Sequence, residues 1–382
     1  MSNNMKRGLY IVFGLNDFDE KLRPTTGVGK KIVNQVSSLN IENVMSCKLA
    51  IFPSLGRKNY LYKLLSYLFL EPFNDINIDY KQYDFIYIRR FSPTSNSLLK
   101  ALKRIKENNP NCKIIYEIPT YPYDMEYYNN IKQYVSLLID KMFRKKLSKY
   151  VDRIVTLSDD DKIFNIPTIK MINGIDCKDI SIVSTETKKE GNIINLIAVA
   201  FFSFWHGYER LLAGLYEYYK DKNDQKYIVN IHFVGDGLEI KKYRKLVEGY
   251  NLGNYVFFHG IVKEKDLDNI YNICDIAVSS LGSHRINIFK TSALKSREYL
   301  AKGLPIISST KIDVLPENFK YCYYVPEDDS PINIDEIVNF YKYIYNNESI
   351  EQVIKNIREF AEKNIDISVT MKPVVEFILN NN

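Results

Sequence analysis

Short apolar runs recur along the chain, each followed by a polar or glycine-containing turn. After the turn, apolar residues return at every third or fourth position, the mark of a buried strand followed by an amphipathic helix. In the first half the predicted strands are Leu9–Phe13 (LYIVF), Asp84–Arg89 (DFIYIR), Lys113–Ile118 (KIIYEI) and Asp152–Ser158 (DRIVTLS). Helices are predicted at Lys30–Leu39, after the polar loop Asn16–Gly29, and at Ser97–Asn108. The acids Asp159, Asp160 and Asp161 predict a helix start, because acidic residues suit a helix N-terminus; three consecutive carboxylates cannot all point at one metal ion. In the second half the strands are Asn195–Ala200 (NLIAVA), Tyr227–Gly237 (YIVNIHFVGDG, running into a glycine-rich turn), Tyr255–Gly260 (YVFFHG) and Asp275–Ser279 (DIAVS). After Phe201–Arg210 (FFSFWHGYER) a helix carries on to Tyr219, and further helices are predicted at Glu239–Tyr250, Asp266–Cys274, Ile350–Lys363 and Ser368–Leu379. Alternation of this kind makes an α/β chain with parallel sheets.

One stretch combines every signal: Arg285–Ser309, RINIFKTSALKSREYLAKGLPIISS. It predicts a loop, a helix capped by Thr291 or Ser292, a stop at Gly303-Leu304-Pro305 and a buried strand through Ile306 and Ile307. A helix N-terminus carries free N–H groups and a partial positive charge that attract phosphate. Lys295 stands in its first turn, and Glu298 lies three residues later on the same face. A cation for phosphate and a carboxylate for sugar hydroxyls, one turn apart, suit a nucleotide-sugar ligand. A plain surface helix with a solvated Lys and Glu is the competing reading.

Length and charge narrow the class. A chain of 382 residues accommodates two domains, and 46% hydrophobic with 26% charged residues is a globular composition. A net charge of +6 admits anionic substrates or an anionic membrane surface and is too weak to argue for nucleic acid. Five cysteines, scattered and without a CxxC pair, argue against zinc and a disulfide framework and suit a reducing cytosol. The N-terminal apolar run is too brief for a signal or a span, so the expectation is a cytoplasmic protein, at most peripheral at the membrane. Gly27-Val28-Gly29-Lys30-Lys31 has neither the Walker A nor the G-x-G-x-x-G spacing. Two basic and apolar segments, Arg57–Phe73 and Tyr134–Tyr150, predict helices that either lie on a membrane surface or turn their apolar side to the core; in the second, Lys141, Arg144, Lys145, Lys146 and Lys149 would face anionic headgroups.

The segment LKSREYLAKGLPII resembles the donor-site helix of the retaining family 4 glycosyltransferases, in which a glutamate precedes a glycine by five residues and a short buried strand follows. Glu298, Gly303 and Ile306-Ile307 match that pattern. The resemblance implies the GT-B fold: two Rossmann-like, doubly wound parallel-sheet domains facing across a cleft. It places an acceptor-side domain at residues 1–185, a nucleotide-sugar domain at 186–355 and a returning C-terminal helix at 356–382. It implies a nucleotide diphosphate sugar as donor, a glycan or lipid-linked saccharide as acceptor, and no metal or other cofactor. Under it, Lys295 and the backbone of Ser292, Ala293 and Leu294 take the phosphates, and Glu298 holds the ribose. Gly235, Gly237 and Val262 flank the base, and Arg285 or Lys290 could supply charge in place of the family's cationic pair on the diphosphate. Gly27, Gly29, Lys30, Glu117 and Asp124 line the acceptor side, with Glu117 or Asp124 orienting or deprotonating an acceptor hydroxyl. A loop-capping role is the alternative for Glu117.

The chain departs from the family at three places. Lys290 stands where relatives carry a first glutamate, Ala200 where they carry arginine, and His206 where a lysine precedes glycine. His206 can donate a hydrogen bond in that slot. These departures motivate a second expectation, a non-catalytic partner that binds nucleotide or glycan. A third is a nucleotide-sugar 2-epimerase, which the same fold accommodates.

Overall fold

The computed structural model describes residues 5–14, 17–19, 21–52, 79–90, 93–124, 131–186, 191–220 and 226–380. The segment Arg57–Phe73 lies outside the described residues. The chain divides into two compact units, residues 1–172 with 367–382, and residues 173–366.

The first unit is built on strands β1 (Lys6–Phe13), β2 (Met45–Phe52), β3 (Phe85–Arg89), β4 (Lys113–Ile118), β5 (Arg153–Thr156), β6 (Lys162–Ile163) and β7 (Ile166–Lys170). They form one sheet in the order β2-β1-β3-β4-β5-β7-β6, parallel except for β6. Both faces are buried because alternate residues of each strand supply different cores: Ile11, Ile86, Ile88 and Ile114 on one side, Tyr10, Val12, Tyr87 and Ile115 on the other. Helix α1 (Gly27–Ser38) follows β1, α2 (Asn96–Asn108) follows β3, and α3 (Ile131–Phe143) follows β4. Helix α1 begins at Gly27, three residues before the predicted start, because the Thr26 side chain accepts the Gly29 N–H and caps the helix there.

The predicted helix start at Asp159–Asp161 is corrected. The segment leads into a hairpin in which Ile163 pairs with Ile166 across Phe164 (φ 52°) and Asn165 (φ 65°). Two consecutive positive φ angles make the two-residue hairpin turn, and burial of both isoleucines holds it closed. Asp161 pairs with Lys170 (2.7 Å).

The second unit contains β8 (Ile193–Val199), β9 (Ile228–Val234), β10 (Val256–Gly260), β11 (Ile276–Val278), β12 (Lys290–Thr291), β13 (Ile306–Ser308), β14 (Lys311–Ile312) and β15 (Cys322–Tyr324). Its main sheet is fully parallel, in the order β10-β9-β8-β11-β13-β15; β12 and β14 pair separately. Helices α4 (Tyr208–Lys220), α5 (Ile240–Gly249), α6 (Glu264–Ile273), α7 (Leu294–Lys302), α8 (Ile334–Tyr345) and α9 (Ile350–Asn364) connect and cover it. Gly303 ends α7 at φ 83°, where a side chain would collide with Ile354 of α9.

The chain then closes the first unit. The single helix predicted at Ser368–Leu379 is instead two, α10 (Ile367–Thr370) and α11 (Lys372–Leu379), because Pro373 is suited to a helix start and not to a helix interior. Met371, Val374 and Ile378 enter the core around Tyr10 and Tyr87. Lys113 donates to the carbonyls of Phe377 (2.7 Å) and Ile378 (3.1 Å), a cation at a helix C-terminus.

Candidate functional site

The strand order of the second unit runs outward in both directions from the boundary between β8 and β11, which is where doubly wound sheets bind ligands. At that boundary the turn after β8 meets the turn after β11. The Leu281 N–H donates to the His206 carbonyl (2.8 Å). Gly207, at φ 65°, has no room for a side chain: a Cβ would come within 2.8 Å of the Gly282 nitrogen. Gly235 and Gly237, also at positive φ, let the turn after β9 lie directly on the backbone of Ala200 and Phe202. Gly235 donates to Gly260 (2.7 Å), which brings half-buried Val262 to the same end of the sheet.

Helix α7 starts beside these turns. Neither Thr291 nor Ser292 caps it, contrary to the sequence expectation. Ala293 occupies the cap position without a side-chain bond, and Thr291 is in β12. The Ser292 hydroxyl is turned elsewhere, accepting the Asn173 N–H (3.0 Å) and a hydrogen bond from Arg297 (3.0 Å). The first N–H groups of a helix have no partner within it, and the cap residue Ala293 offers no side-chain acceptor for them. Ser279 and Ser296 join hydroxyls at 3.0 Å and tie α7 to the end of β11.

Lys295 and His206 converge on one residue, Tyr208. The Lys295 ammonium donates to the Tyr208 hydroxyl (3.2 Å), and the His206 ring stacks on the Tyr208 ring at 5.6 Å. Among the described residues Lys295 has no carboxylate partner, and burial lowers its pKa to about 7. Burial, followed by the charge of Lys295, pushes the His206 imidazole down to about 3. Its Nδ1 accepts the Ser203 N–H (3.0 Å), so the neutral ring carries its proton on Nε2. Lys295 therefore supplies positive charge beside the neutral His206 ring. One helical turn on, the Glu298 carboxylate accepts the Tyr271 hydroxyl (3.1 Å).

The other donor-side residues divide. Arg285 is engaged by Glu209 (2.6 Å) and Asp329 (2.6 Å) and donates to the Phe204 carbonyl (2.8 Å), so it braces the turn that carries His206. Lys290 is exposed on β12.

In the first unit Glu117 is 2% exposed. Its carboxylate accepts from Lys31 (3.1 Å), Arg89 (2.7 Å), Tyr87 (2.9 Å) and Tyr10 (3.2 Å). Burial pushes its pKa up, but Lys31 and Arg89 outweigh that and hold it at about 2. Asp124 is separate from this group and pairs with Arg144 (2.6 Å) and Lys141 (3.3 Å). Gly27 and Lys30 are exposed on the first turn of α1, and Gly29 is buried against the Asp17 backbone. Sequence reasoning missed Tyr208, Lys31 and Arg89. The GVGKK run showed two lysines but not which one turns inward.

Residues 185–365 match the family model described as Glycosyl transferases group 1. No curated protein matches the sequence. Among solved structures, a glycosyltransferase from Rickettsia africae shares 14% identity at a TM-score of 0.61, over 99% of this chain and 100% of that one. Sucrose-phosphate synthase from Thermosynechococcus elongatus shares 16% at 0.63, over 98% and 99%. HepE of Anabaena, in complex with UDP and glucose, shares 12% at 0.57, over 98% and 99%. The fold is that of the GT-B glycosyltransferases, and the matched segment contains Lys295, His206, Tyr208 and Glu298.

Proposed function

We propose that the chain transfers a sugar from a nucleotide diphosphate sugar to a glycan or lipid-linked saccharide, with retention of configuration, in cell-surface polysaccharide synthesis. The observation that carries this reading is Lys295: an inward-turned ammonium without a carboxylate partner among the described residues, at the start of a helix and at the switch point of a parallel sheet. An anion completes such a site. The departing diphosphate takes the Lys295 charge, the Nε2 proton of His206 and the N–H groups at the start of α7. Glu298 receives the ribose hydroxyls, and the backbone around Gly235, Gly237 and Val262 receives the base. The reaction needs no metal in this scheme, since lysine and helix dipole carry the charge. Glu117 is a structural group in this reading, because five donors, Lys31, Arg89, Tyr87, Tyr10 and Gln35, surround its carboxylate.

The test is a thermal-shift screen of the purified chain against UDP, GDP, CDP, ADP and their sugars. Ligand at one hundred times Kd adds about 2.7 kcal/mol of stability. A selective response to one nucleotide, followed by turnover with saccharide acceptors, supports the reading. Binding without turnover across a broad acceptor panel favours the non-catalytic partner, which the replacements at Ala200, His206 and Lys290 motivate. Conversion of the donor to an isomeric sugar nucleotide without acceptor favours the epimerase.

A further inference from the structure

The sheet of the first unit has a switch point of its own. The chain leaves β1 towards β2 on one side and passes from β3 to β4 on the other, so the crevice for a ligand opens at the C-terminal ends of β1 and β3. Arg89 is the last residue of β3 and pairs in register with Glu117 of β4. Its side chain is 13% exposed, whereas those of Glu117 and Lys31 are buried at 2% and 4%. Arg89 is the member of this cluster that reaches the surface.

The cluster is not neutral. Lys31 (3.1 Å) and Arg89 (2.7 Å) both donate to Oε1 of Glu117, while Tyr87 (2.9 Å), Tyr10 (3.2 Å) and Gln35 (3.4 Å) donate to Oε2. Two cations against one carboxylate leave one positive charge in excess. The imbalance falls at the exposed end. Arg89 donates to Glu117 through Nη1 and lies beside the Tyr10 hydroxyl, and among the described residues no second carboxylate and no carbonyl takes the rest of its fork. Asp17, in the loop before α1, is held by the Thr26 hydroxyl (2.5 Å). A mostly buried charge is unfavourable unless paired, and paired guanidinium N–H groups match two oxygens of a carboxylate or phosphate. Glu117, itself fixed by five donors, holds the fork in place and so prepares it for such a partner.

We propose that Arg89 binds an anionic group, carboxylate or phosphate, carried by the saccharide acceptor. The inference rests on the transferase reading and narrows it: the acceptor is an acidic saccharide, containing a uronic acid or a sugar phosphate. Lys31 and Glu117 act through Arg89 as positioning residues. The diphosphate of the donor is a different occupant, and the test separates the two.

The test measures binding of methyl β-glucuronide, glucose 6-phosphate and methyl β-glucoside to the full chain by saturation-transfer NMR, with and without the nucleotide selected in the thermal-shift screen. Binding of an acidic probe that weakens as salt rises, with no binding of the neutral glucoside, is expected. A response to the glucuronide alone assigns a carboxylate, a response to glucose 6-phosphate alone assigns a phosphate, and a response to both assigns their shared chemistry. Arg89→Lys keeps a cation for Glu117 but lacks the fork. It is expected to weaken the acidic probe about tenfold and to leave nucleotide affinity unchanged. Equal binding of acidic and neutral probes, no binding of either acidic probe, or full binding by Arg89→Lys overturns the proposal. So does a loss of nucleotide affinity in Arg89→Lys, which gives the guanidinium to the donor diphosphate instead. Circular dichroism and urea unfolding check that the variant is folded. If it is not, labelling of the parent chain with phenylglyoxal decides: protection of Arg89 by the acidic probe supports the proposal, and lack of protection rejects it. A nucleotide response without acidic-probe binding rejects the anion site and leaves the transferase reading standing; acidic-probe binding that Arg89→Lys removes, without a nucleotide response, does the reverse.

Discussion

Glu117 in the first unit and Lys295 in the second are both ionisable groups turned into the protein near the C-terminal end of a parallel sheet, yet their surroundings are opposite. Glu117 is met by two cations and two tyrosine hydroxyls, which hold it ionised at a pKa of about 2. Lys295 is met by one hydroxyl, and burial alone brings it to about 7. A buried charge whose partners are in place is part of the architecture. One whose partner is absent among the described residues is unfavourable by itself and gains most from a ligand of opposite sign. Residue type made Glu117 look catalytic; its hydrogen bonds say otherwise about what it does in the fold, and the comparison makes the difference testable.

The largest effect is expected at Glu117. Glu117→Gln leaves Lys31 and Arg89 buried with uncompensated charge and should cost about 3–5 kcal/mol of stability, measured by urea unfolding. Full stability with loss of turnover would reverse the assignment and make Glu117 a reacting group. Because its pKa is depressed, the stability it contributes is complete above the unfolded carboxylate pKa and is lost as pH falls towards about 2.

Lys295→Ala should lower turnover about 10²–10³-fold, the loss of one charge-stabilising donor, while the empty protein keeps its stability. A destabilised empty protein would place Lys295 with Glu117 among the structural charges. The loss in binding should be greater for a nucleoside diphosphate than for the nucleoside. Glu298→Ala comes next, weakening nucleotide binding by ~1–3 kcal/mol by calorimetry. An unchanged affinity for every nucleotide would remove it from the site.

The pH dependence is the finest discriminator. Only the ammonium form of Lys295 attracts phosphate, so affinity for a sugar nucleotide should fall about tenfold between pH 6 and pH 8. A sugar nucleotide is the right probe because its diphosphate does not titrate in that range. In the empty protein the sign is opposite to that of Glu117. With its pKa below the unfolded lysine value, Lys295 opposes folding at low pH and ceases to do so as pH rises from about 7 towards that value. A flat affinity profile would mean that Lys295 is not in contact with the diphosphate.

The central strands were legible because residues buried on both faces leave continuous apolar runs, as in Phe85–Arg89 and Ile193–Val199. Strand β2 was not read: it lies at the sheet edge, and Lys48 interrupts its run. The hairpin of β6 and β7 was misread because acids before a helix and acids before a turn look alike; the positive φ angles of Phe164 and Asn165 leave no mark in the sequence. Within the candidate site, Lys295 and Glu298 were singled out from local spacing, and His206 from its place before Gly207 in the family pattern. Tyr208 was not, since its role depends on bringing α4 beside α7 across the end of the sheet. Nor could spacing show that Ser292 is taken by Asn173 and Arg297 and so is lost as a cap.

The division of the chain also sets an order of assembly. Residues 173–366 form a continuous unit, but the first unit draws its last core residues, Met371, Val374 and Ile378, from beyond it. During synthesis the second unit emerges whole while the first still lacks one wall of its core. That core, around Tyr10 and Tyr87, stays open on the ribosome until the final helices arrive. The interval is when a nascent chain of this kind is most exposed to aggregation and most in need of a chaperone.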